Sequence, residues 1–175
     1  MGNPMYGQNK ADGGLSNTAL GGVKELTGAS TLKASDSGSI FVLADSTGFT
    51  TTLPPALPGM RLKFVVGVAS TDAGLKITVN SGDYFYGGLL AVGGAHATAG
   101  SVTENNCGIH YITRATAAAA AGSYDHILLD GDATTTGAYE GTWLELICTT
   151  KGAWNASGVL VSTGTVANPA PIYAG

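Results

Sequence analysis

Apolar and polar residues alternate one for one in short runs cut off by glycine and proline, and this pattern narrows the possible folds more than any other feature. Met60, Leu62, Phe64, Val66 and Val68 fall on one side of a run whose other side begins with Arg61 and Lys63. Successive residues of a strand point to opposite faces, so this spacing predicts a half-buried strand. Leu75, Ile77 and Val79 repeat the alternation against Lys76, Thr78 and Asn80. Ile40 to Ala44 is apolar throughout, as in a strand covered on both faces. Asp45-Ser46-Thr47-Gly48 reads as a turn, with Phe49 to Leu53 as the returning arm of a hairpin. Pro54, Pro55 and Pro58 then interrupt pairing and force a loop. Further strands are predicted at Tyr84–Tyr86, 109–113, 127–129, 143–148 and 154–161. Many short strands with glycine-rich turns predict an all-β domain, a single antiparallel sandwich, jelly-roll or barrel.

Composition excludes the main competitors. Charged residues are only 11% of the chain, against roughly 25% in an average soluble domain. With 27 glycines as well, the sequence does not suit a helix bundle, whose exposed faces are built from Glu, Lys and Arg. Disorder is excluded by the 44% hydrophobic content. A net charge of -4 gives no electrostatic reason to expect a nucleic-acid partner. A surface of Thr, Ser, Gly and Ala costs little to desolvate, which favours burial against another protein. No apolar run reaches membrane-span length, so no membrane partner is expected, and Met1 to Leu20 hold no apolar core of signal-peptide length. Synthesis in a cytoplasm is the expectation.

Three regions are distinguished along the chain. Residues 1–30 carry scattered glycines with Met5, Tyr6, Leu15 and Leu20 as isolated apolar anchors, which predicts an extended arm ordering against a partner; the alternative is a terminus without a role. Residues 31–163 form the β domain. Residues 164–175, with Pro169 and Pro171, form an extended strap. Ala117 to Ala121 is either a helical turn or a tightly packed connection. Phe41, Leu43, Trp143, Ile147 and Trp154 are the candidate core or subunit-interface residues. Trp143 and Ile147 share a face with Glu145, while Leu144, Leu146 and Cys148 take the other, so this strand is largely apolar on both sides.

Chemistry is sparse. The sequence holds no G-x-S-x-G elbow, H-E-x-x-H pair or phosphate-binding loop, and no catalytic or metal-ligating set is assigned. His96, His110 and His126 are too far apart in sequence to define a site by spacing. Asp130-Gly131-Asp132 begins like a calcium loop, but Thr135 and Gly141 stand where that loop needs Gly and Glu. Cys107 and Cys148 have no metal or redox spacing; Cys148 reads as a small core hydrophobe, and a bond between the two is left open. Asn155-Ala156-Ser157 matches a glycosylation triplet, which carries no weight without a secretory signal. No cofactor is expected.

Two segments together resemble a known group. The first runs from Thr31 through Leu32-Lys33-Ala34-Ser35-Asp36-Ser37-Gly38 and Thr52-Leu53-Pro54 to Phe64; the second is Gly141-Thr142-Trp143-Leu144-Glu145-Leu146, followed by Trp154 and Gly158. The pairing resembles small β-structured virion proteins of tailed bacteriophages, above all capsid decoration (cement) proteins and related head-fibre domains. The resemblance implies a structural, non-enzymatic homotrimer on the outer capsid surface, with the phage major capsid protein as partner. The alternative is a head- or tail-fibre protein whose Tyr84, Tyr86, Tyr124 and Tyr139 stack on host glycans. A polysaccharide-degrading enzyme ranks third, since it would need a carboxylate pair in a groove.

Overall fold

The computed structural model describes residues 22–70, 74–93, 107–112, 124–129, 137–162 and 172–174. Two mixed sheets account for nearly all of them, and among the described residues there is no α-helix, only a 3-10 turn at Ala34–Asp36. In chain order the strands are β1 (Val23–Leu26), β2 (Ser30–Thr31), β3 (Ile40–Leu43), β4 (Thr50–Thr52), β5 (Arg61–Val66) and β6 (Leu75–Thr78). They continue with β7 (Tyr84–Gly93), β8 (Cys107–Ile112), β9 (Tyr124–Leu129), β10 (Trp143–Thr150), β11 (Ala153–Ser162) and β12 (Ile172–Ala174). The seven-stranded sheet has the order β1-β3-β5-β10-β11-β7-β8, and the five-stranded sheet β12-β9-β6-β4-β2.

The first half of the chain winds between the sheets. β1, β3 and β5 lie in one sheet and β2, β4 and β6 in the other, and neighbours within each set are parallel. Parallel neighbours need a crossover, which is usually a helix; here each crossover is a strand of the opposite sheet. This overturns the expected hairpin, because β3 and β4 do not pair. The turn between them is nevertheless well made: Asp45 Oδ1 accepts hydrogen bonds from the Thr47 amide at 2.7 Å, the Thr47 hydroxyl at 2.7 Å and the Gly48 amide at 3.1 Å. It hands the chain from one sheet to the other instead of folding it back. The expected antiparallel order is also corrected. Antiparallel pairing is confined to β5–β10, β10–β11, β7–β8, β6–β9 and β9–β12, while β7 and β11 are parallel over ten residue pairs, Tyr84–Gly93 with Ala153–Ser162.

The proline segment returns the chain from β4 to β5. Its free amides are satisfied by Asp83 Oδ2, which accepts from Ala56 at 2.8 Å, and by the Cys148 carbonyl, which accepts from Gly59 at 2.8 Å. Among the described residues the first strand starts at Val23, inside the stretch expected to be an arm, and β12 pairs with β9 inside the expected C-terminal strap. Met5, Tyr6, Leu15 and Leu20 lie outside the described residues.

Inward side chains of both sheets form one cluster. Phe41, Leu43, Phe64, Phe85, Leu89 and Trp154 from the larger sheet meet Leu75, Ile77, Ile127 and Leu129 from the smaller. The Phe41 and Phe64 rings stack with centroids 5.3 Å apart. Phe41, Leu43 and Trp154 are therefore core residues.

Candidate interaction face

The period of two that buries Leu144, Leu146 and Cys148 sends Trp143, Glu145 and Ile147 to the other side of β10, where each is half-buried. The same alternation on the flanking strands builds a continuous outer face. Register places Val42, Val65, Trp143, Val159 and Leu90 side by side across β3, β5, β10, β11 and β7. All five are half-buried. The next row holds Ile40, Lys63, Glu145 and Ser157, and the row beyond it Arg61, Ile147, Asn155 and Tyr86. An apolar stripe thus runs beside a stripe with one basic and one acidic side chain at its centre. Lys63 lies over the Trp143 ring with its ammonium 5.3 Å from the centroid, a cation–π contact that covers part of the indole.

Thr142 fixes where this strand begins. Its buried hydroxyl donates to the Gly137 carbonyl at 2.7 Å and accepts from the Val161 amide at 2.8 Å, locking the start of β10 against the far end of β11. Tyr84 and Tyr86 occupy the opposite end of the same outer face, with ring centroids 6.4 Å apart, and the Tyr86 hydroxyl bonds the Thr149 hydroxyl at 2.8 Å. Tyr124 packs against the core cluster, and Tyr139 is half-buried.

The titratable groups are dispersed. His110 belongs to β8 in the larger sheet and His126 to β9 in the smaller, so the fold does not bring these two together; His96 lies outside the described residues, as do Asp130 and Asp132. His126 Nδ1 lies 2.6 Å from Asp125 Oδ1 near the start of β9. Asp36 is held below the usual carboxylate range chiefly by a hydrogen bond from Lys24, against the opposing effect of burial and with a further contribution from the Lys33 amide at 2.7 Å. Asp45 is lowered by its hydrogen bonds from Thr47. Cys148 is a free thiol whose ionisation burial pushes up. Among the described residues there is no group of three or more His, Cys, Asp or Glu that could hold a metal ion, and no helix long and apolar enough to cross a membrane.

Sequence reasoning identified the two-sided strand at Trp143 but missed the extent of its face. Val42, Val65, Val159 and Leu90 come from distant segments, and only sheet order makes them neighbours. The chain matches no family model, no curated protein and no solved structure.

Proposed function

We propose that this is a structural virion protein of a tailed bacteriophage, a capsid decoration protein that binds the outside of the head and stabilises contacts between major capsid subunits. The observation that carries the reading is the outer face of the seven-stranded sheet, a row of half-buried Val42, Val65, Trp143, Val159 and Leu90 on a chain with only 11% charged residues. A protein of this kind acts through interface area, about 1,600 Å² for a contact of standard size, multiplied over many copies. The two segments that carry the resemblance support it as well, since they contribute β3, β5, β10 and β11, four consecutive strands of that sheet. The extended arm, with Met5, Tyr6, Leu15 and Leu20 as anchors, belongs to the same proposal as the tether to the capsid.

Purified phage particles test the assignment by stoichiometry: a decoration protein is present at a copy for every few major capsid subunits. Deleting residues 1–20 tests the tether. The truncated protein should fold, and its occupancy on undecorated capsids should fall by at least about tenfold, the loss of a handful of buried apolar side chains. Particles lacking the chain would refute the virion assignment, and unchanged occupancy would refute the tether.

A second reading, a fibre protein binding host glycans, is favoured by Tyr84 and Tyr86, which present two aromatic rings along one strand. Glycan-array binding that disappears in Tyr86→Ala would support it over decoration.

A further inference from the structure

We propose that residues 22–31 open as a unit of their own, leaving the rest of both sheets in place, and that the ion pair between Lys24 and Asp36 is the latch that holds them closed. The inference stands independently of the virion assignment.

Burial sets this segment apart. None of the residues from 22 to 31 is buried, and Leu32 is the first buried side chain of the described residues. β1 and β2 are both edge strands: β1 pairs only with β3, and β2 pairs only with β4, through Ser30–Thr51 and Thr31–Thr52. The connection between them is loosely packed, since a Cβ at Gly28 would meet no atom within 4 Å. Of the two large apolar side chains on β1, Leu26 packs partly against the core cluster and Val23 is 58% exposed. A segment with few buried apolar contacts and solvent-exposed backbone hydrogen bonds opens locally, at far lower free energy than the core beside it. Opening here breaks a ladder on one side only. It frees the Ile40 amide from the Gly22 carbonyl and the Ala44 amide from the Leu26 carbonyl, each bonded at 2.9 Å, and water takes their place.

Lys24 supplies what the segment otherwise lacks. Register sets it beside Phe41, with its ammonium 5.8 Å from the ring centroid, and it pairs with Asp36. Asp36 is fixed without help from β1. Its carboxylate accepts from the Lys33 amide at 2.7 Å, and the turn that carries it is bonded to β5: the Ser37 hydroxyl accepts from the Arg61 amide at 3.1 Å, and the Gly38 amide donates to the Arg61 carbonyl at 2.7 Å. One half of the latch therefore stands on the sheet and the other on the segment that moves. The Lys24 side chain is 45% exposed and that of Asp36 17%, so the pair is partly screened and contributes a factor of a few to the closed state. That is enough to set how often the segment opens and too little to hold it shut. For the tether of the proposed function, opening adds ten residues to the arm, about 33–36 Å of reach when extended; this consequence alone rests on that reading.

Native-state hydrogen exchange of the full-length protein at neutral pH, read by NMR, tests the proposal without a capsid. The Ile40 and Ala44 amides, which donate to the segment, should exchange at least about a hundredfold faster than the Lys63 and Cys148 amides, which donate to the Ser39 and Met60 carbonyls. Lys24→Met keeps a stem beside Phe41 and removes the charge, while Asp36→Asn keeps an acceptor for the Lys33 amide. Each should speed exchange at Ile40 and Ala44 by about two- to fivefold and leave Lys63 and Cys148 unchanged. The double variant should match the singles, because both changes remove one contact. Salt at about 1 M should bring the wild type towards the variants and leave the variants as they are. Ile40 and Ala44 exchanging no faster than Cys148, variants that speed all four amides alike, or variants without effect at Ile40 and Ala44 would overturn the proposal.

Discussion

Trp143 and Trp154 sit on paired strands yet face opposite sides of the sheet, and this difference sets what each does. Trp154 is 0% exposed, with its indole N–H buried and unpartnered among the described residues. Trp154→Ala should cost about 3–5 kcal/mol by chemical denaturation, the usual loss for a buried aromatic. Trp154→Phe should cost markedly less, because it keeps a buried ring and removes a polar atom that makes no bond. Trp143→Ala should destabilise the fold by less than Trp154→Ala, because Trp143 is half-buried and outward-facing. The aspartates provide a pH test. The carboxyls of Asp36 and Asp45 are depressed by hydrogen bonds made only in the folded state. Their contribution is present above the unfolded Asp value of about 3.9 and is lost as pH falls through the lower folded values. Acid unfolding below about pH 4 should therefore be steeper in the wild type than in the Asp36→Asn, Asp45→Asn double variant, measured as melting temperature against pH.

At the scale of elements, the connections decide the fold. Gly48, with φ +85°, ends the Asp45 turn where a Cβ would stand 2.2 Å from the Gly74 carbonyl oxygen. Gly59 has a similar φ of +93° but open space around it. Gly59→Ala should carry only the left-handed backbone penalty of about 1–2 kcal/mol. Gly48→Ala should lose more, since it adds a backbone clash that no rotamer relieves; comparing the two denaturation midpoints isolates the close approach. The edge strands show the limit of sequence patterning. Val23-Lys24-Glu25-Leu26 is exposed over its first three residues and pairs on one side, with β3. Such a strand needs no inward alternation, so Val23 to Leu26 did not stand out from the glycine-rich stretch before it.

For the whole molecule, winding between two sheets makes most contacts non-local. Each parallel pair among β1 to β6 joins segments separated by a strand of the other sheet. Loop closure must precede those contacts, so refolding should be slow for the size of the chain, with relaxation times of about milliseconds to seconds in stopped-flow fluorescence. A single microsecond phase would contradict this topology.

Period-two alternation by itself determined that the chain forms strands, and which side of β5 and β6 faces inward; on β10, apolar on both sides, it left the inward side to the tertiary structure. Leu62, Phe64, Leu75 and Ile77 are all buried as that alternation requires. This was legible because burial acts on each side chain separately and leaves its period in the sequence. Strand partnership was decided only in three dimensions. Backbone hydrogen bonds are nearly the same for every residue type, and the turn at Asp45–Gly48 suits a crossing to the second sheet as well as a return to the first. The outer apolar row is of the same kind: Trp143 marks one strand of it, but Val42, Val65, Val159 and Leu90 became its neighbours because the sheet order placed their strands together.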